Sequence, residues 1–251
     1  MVLIGASKRS TSENPMSILF SPYTLSGLPL KNRVVMAPMT RARALNDIPD
    51  ELTVLYYRQR ASAGLIISEG VPVSIQGRGY LFNPGLYNQE QVEGWKEVTQ
   101  AVHEEGGKIF AQLWHVGRVS HTTLQPDGGA PVSSSNRLAV NSMAYAYNEK
   151  HEPSPIQASP PRALSTEEVV NVKADFVRAA QRAMEAGFDG VEIHGANGYL
   201  FEQFINPSVN GRTDRYGGSI ENRMRLLLET IDAVAEEIGR AKVGVRISPF
   251  D

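Results

Sequence analysis

The chain has 251 residues, of which 41% are hydrophobic and 21% charged, and its formal net charge is -2. Such a composition is typical of a globular protein with a sizeable core, and the balanced charge predicts neither nucleic acid nor a membrane surface as a partner. The sequence contains no Cys. This excludes disulfides, thiolate metal sites and a Cys nucleophile, and it fits a reducing, cytoplasmic location.

The beginning of the chain predicts an extension followed by a small hairpin. Residues 1–16 place two basic residues after a few apolar ones, which is the wrong order for a signal peptide, and we expect a flexible extension there. Residues 17–251 are expected to form one domain. Its first part has two short apolar runs around Gly27 and Pro29, which predict a hairpin that could plug one end of a barrel.

After the hairpin, short β-branched runs alternate with longer amphipathic stretches, which is the pattern of βα units on a parallel sheet. We predict five strands, at residues 32–40, 64–70, 108–117, 190–198 and 243–250. Helices are predicted at residues 50–62, 89–105, 165–186 and 219–238. Ser165 and Glu168 form a capping box before the third helix, while Gly106 and Gly187 lie where helix C-caps are expected.

The third strand is followed by a long segment that lacks the βα pattern. Residues 118–163 are rich in Pro, Ser, Gly and Asn. We therefore expect one long excursion there, with a small hairpin near residues 138–147.

Polar residues near the strand ends favour a barrel over an open doubly wound sheet. Period-2 geometry places three pairs of residues each on one strand face: Gln112 with Trp114, Glu192 with His194, and Arg246 with Ser248. The second member of each pair is nearer the C-terminal end, where (β/α)8 barrels carry their active sites. A barrel needs eight strands, so the five predicted here indicate an incomplete barrel, or one part of a split protein, with an unpaired edge.

Several common site motifs do not occur. No Gly-x-Gly-x-x-Gly follows a strand, no P-loop or Gly-x-Ser-x-Gly is present, and the His residues have no metal-ligand spacing, so we expect no metal. Glu69 and Glu192 lie near strand ends and could be the paired carboxylates of a barrel hydrolase. The alternative for Glu192 is a buried charge that pairs with Arg246.

A third set of polar residues follows the fourth strand. His194 ends that strand, and Asn197 and Tyr199 come directly after it. Imidazole and amide groups can donate hydrogen bonds to one oxygen, and a phenol, with a pKa of roughly 10, can protonate a strongly basic carbon. The alternative is that these side chains only cap a loop.

Five motifs occur in the order VVMAPMTRAR, SEGVPVS, AQLWHVGR, HGANGYLFEQFINPSVNGRTDRYGGSIENRMRLLLE and VGVRISPF. Over about residues 17–251 they resemble the Old Yellow Enzyme family of FMN-dependent ene-reductases, on the bacterial branch that includes N-ethylmaleimide reductase. The resemblance implies an α/β fold, a TIM (β/α)8 barrel with an N-terminal β-hairpin lid, of which only the first five βα strands are present. It also implies non-covalent FMN, reduced by NADPH or NADH.

The resemblance implies a set of cofactor contacts, made by Ala37, Pro38, Met39, Thr40, Gly70, Gln112, His194 and Arg246. Thr40 would bond near the flavin C4 carbonyl, although it could instead be a plain N-cap. Gly70 would let the backbone approach the ring, which a Cβ would impede. Gln112 would face the pyrimidine edge, and Arg246 would stabilise the negative charge of the reduced ring.

The resemblance further implies a reaction. His194 and Asn197 would hold the oxygen of an α,β-unsaturated carbonyl, imide or nitro compound, flavin N5 would give hydride to the β-carbon, and Tyr199 would protonate the α-carbon. Trp114 would shape the substrate pocket beside Tyr199. Many bacterial relatives have a second His where this chain has Asn197, which bears on substrate preference.

The resemblance also implies a missing part. In the family, the last three βα units supply the Gly-rich backbone and the Arg that hold the FMN phosphate, and the five predicted strands include none of them. We therefore expect this chain to act with a C-terminal companion segment. The alternative is a non-catalytic fragment or subunit, and the third possibility is the hydrolase that uses Glu69 and Glu192.

Overall fold

The fold is taken from a computed structural model, which describes residues 18–248. The predicted extension at residues 1–16 lies outside the described residues, as do residue 17 and residues 249–251 of the predicted domain. Among the helices that are described, none has the length and apolar character needed to cross a membrane.

The predicted N-terminal hairpin is confirmed. Its two antiparallel strands are β1 (Tyr23–Leu25) and β2 (Leu28–Leu30). Leu30 is buried in one apolar cluster with Leu65, Ile67 and Phe110, which belong to the N-terminal halves of two sheet strands. The hairpin therefore covers the end of the sheet opposite to the strand ends where the polar residues lie.

Five strands form a parallel sheet, as predicted. They are β3 (Val35–Met36), β4 (Leu65–Pro72), β5 (Ile109–Trp114), β10 (Gly190–His194) and β11 (Val243–Arg246). Their order is β11-β10-β5-β4-β3, so each strand pairs with its neighbour in the βα series. The first strand was expected over residues 32–40 but pairs at only two positions, because residues 37–44 leave the sheet as a loop.

Within residues 20–248, five α-helices accompany the sheet: α1 (Glu51–Arg58), α2 (Gln89–Glu104), α3 (Thr166–Glu185), α4 (Leu200–Ile205) and α5 (Ile220–Ile238). The predicted capping box is present, since Ser165 accepts from the Glu168 N–H and the Glu168 carboxylate accepts from the Ser165 N–H. Gly106 and Gly187 have φ of 67° and 85°, the left-handed conformation that ends helices. Helix α4 was not predicted.

The long excursion is confirmed, but its hairpin was misplaced. The hairpin strands are β7 (Met143–Tyr147) and β8 (Pro153–Gln157), not residues 138–147. Two shorter strands, β6 (Val132–Ser133) and β9 (Arg162–Ala163), pair in parallel and close the excursion at its base. Pro153 and Pro155 read as strand breakers in the sequence, yet β8 is an edge strand, where the missing N–H groups of proline are tolerated.

Strand β4 contains a bulge that decides which side chains face the inner side of the sheet. Ile67 pairs with Phe110, but the next pairing of β5 at Gln112 is with Gly70, so one extra residue is accommodated between them. Regular alternation would have placed Glu69 opposite Gln112. The bulge instead turns Glu69 outward and places Gly70 on the inner face.

The two edge strands of the sheet have exposed apolar side chains. Val35 on β3 and Val245 on β11 are 52% and 36% exposed, and Leu52 on α1 and Leu228 on α5 are 72% and 50% exposed. A closed barrel would pair such edges and cover such helix faces with further βα units. Within residues 18–248 the sheet is thus a partial barrel, as predicted.

Candidate active site

A cavity of about 620 Å³ opens at the C-terminal ends of the parallel strands. Most of the predicted site residues line it, namely Pro38, Thr40, Gln112, Trp114, His194, Asn197, Tyr199 and Arg246. The β7–β8 hairpin of the excursion lines the opposite side through Met143 and Tyr145. Residues from all five sheet strands or the loops after them are therefore brought to one place, as an active site on a barrel rim requires.

His194 is the last residue of β10 and is buried. Its Nδ1 accepts a hydrogen bond from the Ala196 N–H at 3.3 Å, which leaves the proton on Nε2 as a donor. Burial, reinforced by the positive charge of Arg246, lowers the pKa of His194 to about 4. At neutral pH the imidazole is consequently uncharged and can donate from Nε2.

Tyr199 stands at the N-cap of α4 and is largely enclosed by other rings. Its ring lies edge-on to Trp114, with 4.8 Å between the centroids, and edge-on to His194 at 5.1 Å. Its hydroxyl is 3.5 Å from the Tyr80 hydroxyl. Burial, with a smaller contribution from Tyr80, raises the pKa of Tyr199, so the phenol keeps its proton.

Asn197 lies between these two residues in a left-handed conformation, with φ of 58°. Its backbone N–H donates to Ser248 Oγ at 2.9 Å, and Ser248 Oγ donates to Glu202 at 2.9 Å. Asn is one of the few residues other than Gly that adopt this conformation readily. The turn that carries Asn197 is thus tied to the chain after β11.

The predicted partner of Glu192 was wrong. The Glu192 carboxylate accepts a hydrogen bond from Gln112 Nε2 at 2.7 Å, whereas Arg246 contributes only a longer-range attraction. The reason is the sheet register, which places Gly244 opposite Glu192 and Arg246 opposite His194. Burial raises the pKa of Glu192, and Gln112 and Arg246 oppose that shift.

The hydrolase hypothesis is not supported, because neither Glu192 nor Glu69 lines the cavity. The side chain of Glu69 is fully buried and forms an ion pair with Arg41, with 2.6 Å between Arg41 Nη2 and Glu69 Oε1. It does not line the cavity. The bulge in β4 is the cause, because regular pairing would have turned this carboxylate toward Gln112.

The residue that requires a glycine at position 70 is Trp114, whose contact with Gly70 was not predicted from the sequence. A Cβ added to Gly70 would come within 2.3 Å of the Trp114 ring. Trp114 is 2% exposed, and its ring stacks on His194 at 5.9 Å with 17° between the planes. Gly70 is therefore required by the close approach of Trp114, irrespective of any bound ring.

The first loop matches the prediction in part. Pro38 and Thr40 line the cavity, and Thr40 Oγ1 accepts a weak hydrogen bond from the Gly70 N–H at 3.4 Å. Thr40 is not an N-cap, because Asp50 caps α1. Ala37 does not line the cavity, and Met39 lies in a different pocket on the β3 edge.

Besides Met143 and Tyr145 of the β7–β8 hairpin, two groups of cavity residues were missed by the sequence reasoning. Tyr80 comes from the loop after β4, which has no period to identify it, and its backbone pairs with Tyr145 of the excursion. Arg41 and Arg43 come from the loop after β3. A basic pair directly after the predicted Thr40 was the available signal for the second group. No three His, Asp or Glu side chains converge as metal ligands in the part of the chain that the structure describes.

Comparison with known proteins identifies the class. Residues 18–251 match the model of the NADH:flavin oxidoreductase / NADH oxidase family. The chain belongs to this family, and the resemblance to Old Yellow Enzyme is confirmed.

Particular relatives are reductases. The chain is 48% identical over 234 residues to 12-oxophytodienoate reductase 1 of Oryza sativa subsp. japonica, covering 92% of this chain and 59% of that protein. It is 47% identical over 234 residues to 12-oxophytodienoate reductase 2 of Arabidopsis thaliana, covering 92% and 61%. The chain thus spans about three fifths of the length of these relatives.

Solved structures agree with the fold. Morphinone reductase superposes with a TM-score of 0.91 at 50% identity, covering 92% of this chain and 62% of that one. The Old Yellow Enzyme homologue from Zymomonas mobilis superposes with a TM-score of 0.86 at 44% identity, covering 92% and 63%. The prediction of a partial Old Yellow Enzyme barrel is therefore confirmed.

Proposed function

We propose that this chain, within a completed barrel, is an FMN-dependent NAD(P)H oxidoreductase that reduces the activated C=C bond of α,β-unsaturated carbonyl, imide or nitro compounds. The observation that carries the proposal is the meeting of His194, Asn197 and Tyr199 in one cavity with Arg246. A neutral donor and a protonated phenol side by side suit the polarisation of an oxygen and the protonation of a carbon.

Three side chains have different roles in the proposed reaction. His194 donates from Nε2 and Asn197 from its amide to the substrate oxygen, which draws electrons from the β-carbon. Tyr199 then gives its hydroxyl proton to the α-carbon. The edge-on contacts of the Tyr199 ring with Trp114 and His194 hold the phenol in place within the cavity. An uncharged His194 hydrogen-bonds the oxygen without competing as an acid.

The donors around the cavity fit FMN. Arg246 has no carboxylate within ion-pair distance among residues 18–248, and its guanidinium is free to face an anionic ring. Gln112 and Thr40 add amide and hydroxyl groups, and 620 Å³ is within the range of cofactor sites. When bound, FMN would supply the hydride for the β-carbon.

The proposed reductant is NADPH or NADH. Support comes from the family description, which names NADH, and from the structure of morphinone reductase in complex with tetrahydroNAD, a protein 50% identical to this chain.

A companion segment is part of the proposal. The free edges of β3 and β11 are the places where further βα units would pair, and the exposed faces of α1 and α5 are where their helices would pack. We propose that FMN is held tightly only after these units are added, because the phosphate site of the family lies in them.

The first experiment is an absorbance spectrum from about 300 to 600 nm, recorded with an intact mass. For the barrel completed by the further βα units, a flavin band at about 450 nm that bleaches with NADPH or NADH and returns with an enone is expected. The Tyr199→Phe variant should keep the band and the bleaching but lose most of the return, whereas Tyr147→Phe, on the excursion and outside the cavity, should resemble the wild type.

Other outcomes point to the alternatives. A colourless protein that takes up no FMN, with or without the barrel-completing units, would refute the proposal and leave a non-catalytic fragment. A hydrolase would be colourless too, but the burial of Glu69 against Arg41 disfavours it.

A further inference from the structure

Residues 41–47 contribute to one wall of the cavity, which residues 41–43 line, and ion pairs hold the segment at both ends. Arg41 pairs with Glu69 at 2.6 Å, and Asp47 pairs with Arg78 at 2.7 Å. All four side chains are at most 17% exposed. Glu69 lies on strand β4 and Arg78 lies in the loop after it, so both ion pairs attach the segment to the same neighbouring strand and its loop.

The conformation between the two ion pairs is unfavourable by itself. Ala42, Asn46 and Asp47 have φ of 51°, 60° and 58°. Asn and Asp adopt this left-handed conformation more readily than other non-Gly residues, but Ala42 adopts it only because its surroundings hold it there. Ala44 helps, because it is fully buried and its N–H donates to the Phe82 carbonyl at 2.8 Å. The wall therefore depends on its anchors.

Glu69 is the more elaborate anchor. Its carboxylate accepts from Arg41 Nε at 3.0 Å, from the Arg41 backbone N–H at 3.3 Å and from the Tyr57 hydroxyl at 3.2 Å. The Arg41 guanidinium also lies over the Tyr56 ring, 4.1 Å from its centroid. Glu69 thus faces α1 and reaches the cavity only through Arg41, which lines it.

We propose that Glu69 is a positioning residue, which acts through Arg41 to hold Pro38, Thr40 and residues 41–43 as the cofactor-facing wall and to neutralise the Arg41 charge there. This inference rests on the proposed function, since the wall would contact FMN. It assigns a task to the carboxylate that the reaction leaves unused. Pro38 and Thr40 immediately precede Arg41, so their placement follows from the same anchor.

The first test needs no FMN. Glu69→Gln keeps the size of the side chain and removes its charge, and hydrogen exchange followed by mass spectrometry reports on each segment. We expect amides of residues 40–48 to exchange at least about tenfold faster, with α3 unchanged. The matched control is Glu104→Gln, which removes a surface carboxylate that pairs with Arg58. Unchanged exchange in residues 40–48, or an equal rise throughout the chain, would overturn the proposal.

The second test uses the FMN-loaded protein. Glu69→Gln leaves the Arg41 charge unbalanced beside the cavity, so the flavin midpoint potential should become more positive and FMN should bind more weakly. The double variant Arg41→Met/Glu69→Gln should restore the potential while the loop still exchanges fast. A purely structural role would lower stability without moving the potential.

The two tests separate the two proposals. If no variant takes up FMN, the proposed function fails, and exchange still decides whether Glu69 holds the loop. If the wild type binds FMN and Glu69→Gln has the same affinity and potential, the positioning role is wrong and the proposed function stands.

Discussion

Replacing Gly70 with Ala tests the packing on which the cavity depends. The added Cβ would lie 2.3, 2.8 and 2.9 Å from three carbon atoms of the Trp114 ring. Ordinary carbon contacts are about 3.5–4.0 Å, so the ring would have to move by roughly 1 Å. This movement would disturb the contacts of the Trp114 ring with Tyr80, His194 and Tyr199, which pack against it.

The expected cost is that of overpacking a filled core, about 1–3 kcal/mol, and the contact of 2.3 Å places it in the upper half of that range. Urea unfolding followed by far-UV circular dichroism measures it. Gly211→Ala is the matched control, because nothing lies within 4 Å of a Cβ at that position and its expected effect is below about 0.5 kcal/mol.

A double-mutant cycle identifies the cause. Trp114→Leu removes the six-membered ring that Gly70→Ala would strike, so the double variant should be more stable than the sum of the single effects predicts, by at least about 1 kcal/mol. The reasoning fails if Gly70→Ala leaves the free energy of unfolding unchanged, or if the two effects simply add.

Three further predictions concern the site and the fold. Because the folded-state pKa of His194 is about 4 and the ordinary value is 6.5, the unfolded state binds a proton first as pH falls. The free energy of unfolding should therefore decrease by about 3 kcal/mol between about pH 6.5 and pH 4 because of this group. Urea unfolding measured across this pH range should show a smaller decrease for His194→Asn than for the wild type. Tyr80→Phe removes the hydroxyl that lies 3.5 Å from the Tyr199 hydroxyl. In stopped-flow absorbance of the FMN-loaded protein, we expect the reaction with the enone to slow by roughly tenfold, while the reaction with the nicotinamide nucleotide keeps its rate. Equal slowing of both reactions would contradict this. Ser165→Ala should cost about 1 kcal/mol in thermal or urea unfolding because α3 loses its N-cap, and an effect below about 0.3 kcal/mol would show that the cap is dispensable.

The sequence predicted those features that depend on regular period. Strands β5, β10 and β11 alternate without interruption, and counting by two placed Gln112, Trp114, His194 and Arg246 on one side of the sheet, where the structure has them. The capping box of α3 was equally predictable, since it depends on two residues at a fixed spacing.

Features that depend on tertiary contacts were not predictable. The outward position of Glu69 results from the bulge in β4, and the residue pattern of SEGVPVS does not predict that bulge. Helix α4 has only six residues, and most of its side chains are buried. A short apolar run of this kind cannot be distinguished from a strand by its sequence pattern alone. Tyr80 reaches the site because the excursion pairs with its backbone, a contact between segments more than 60 residues apart in sequence.

The bulge in β4 also determines what electrical charge the cavity has. Regular pairing of the same sequence from Ile67 onward, without the bulge, would place Glu69 opposite Gln112, and a carboxylate would then face the space beside Gln112 and Glu192 in place of a glycine. Arg41 would at the same moment lose its counter-ion. Insertions and deletions in this strand should accordingly be far less tolerated than in the excursion, where added residues change the rim of the cavity and leave its polarity intact.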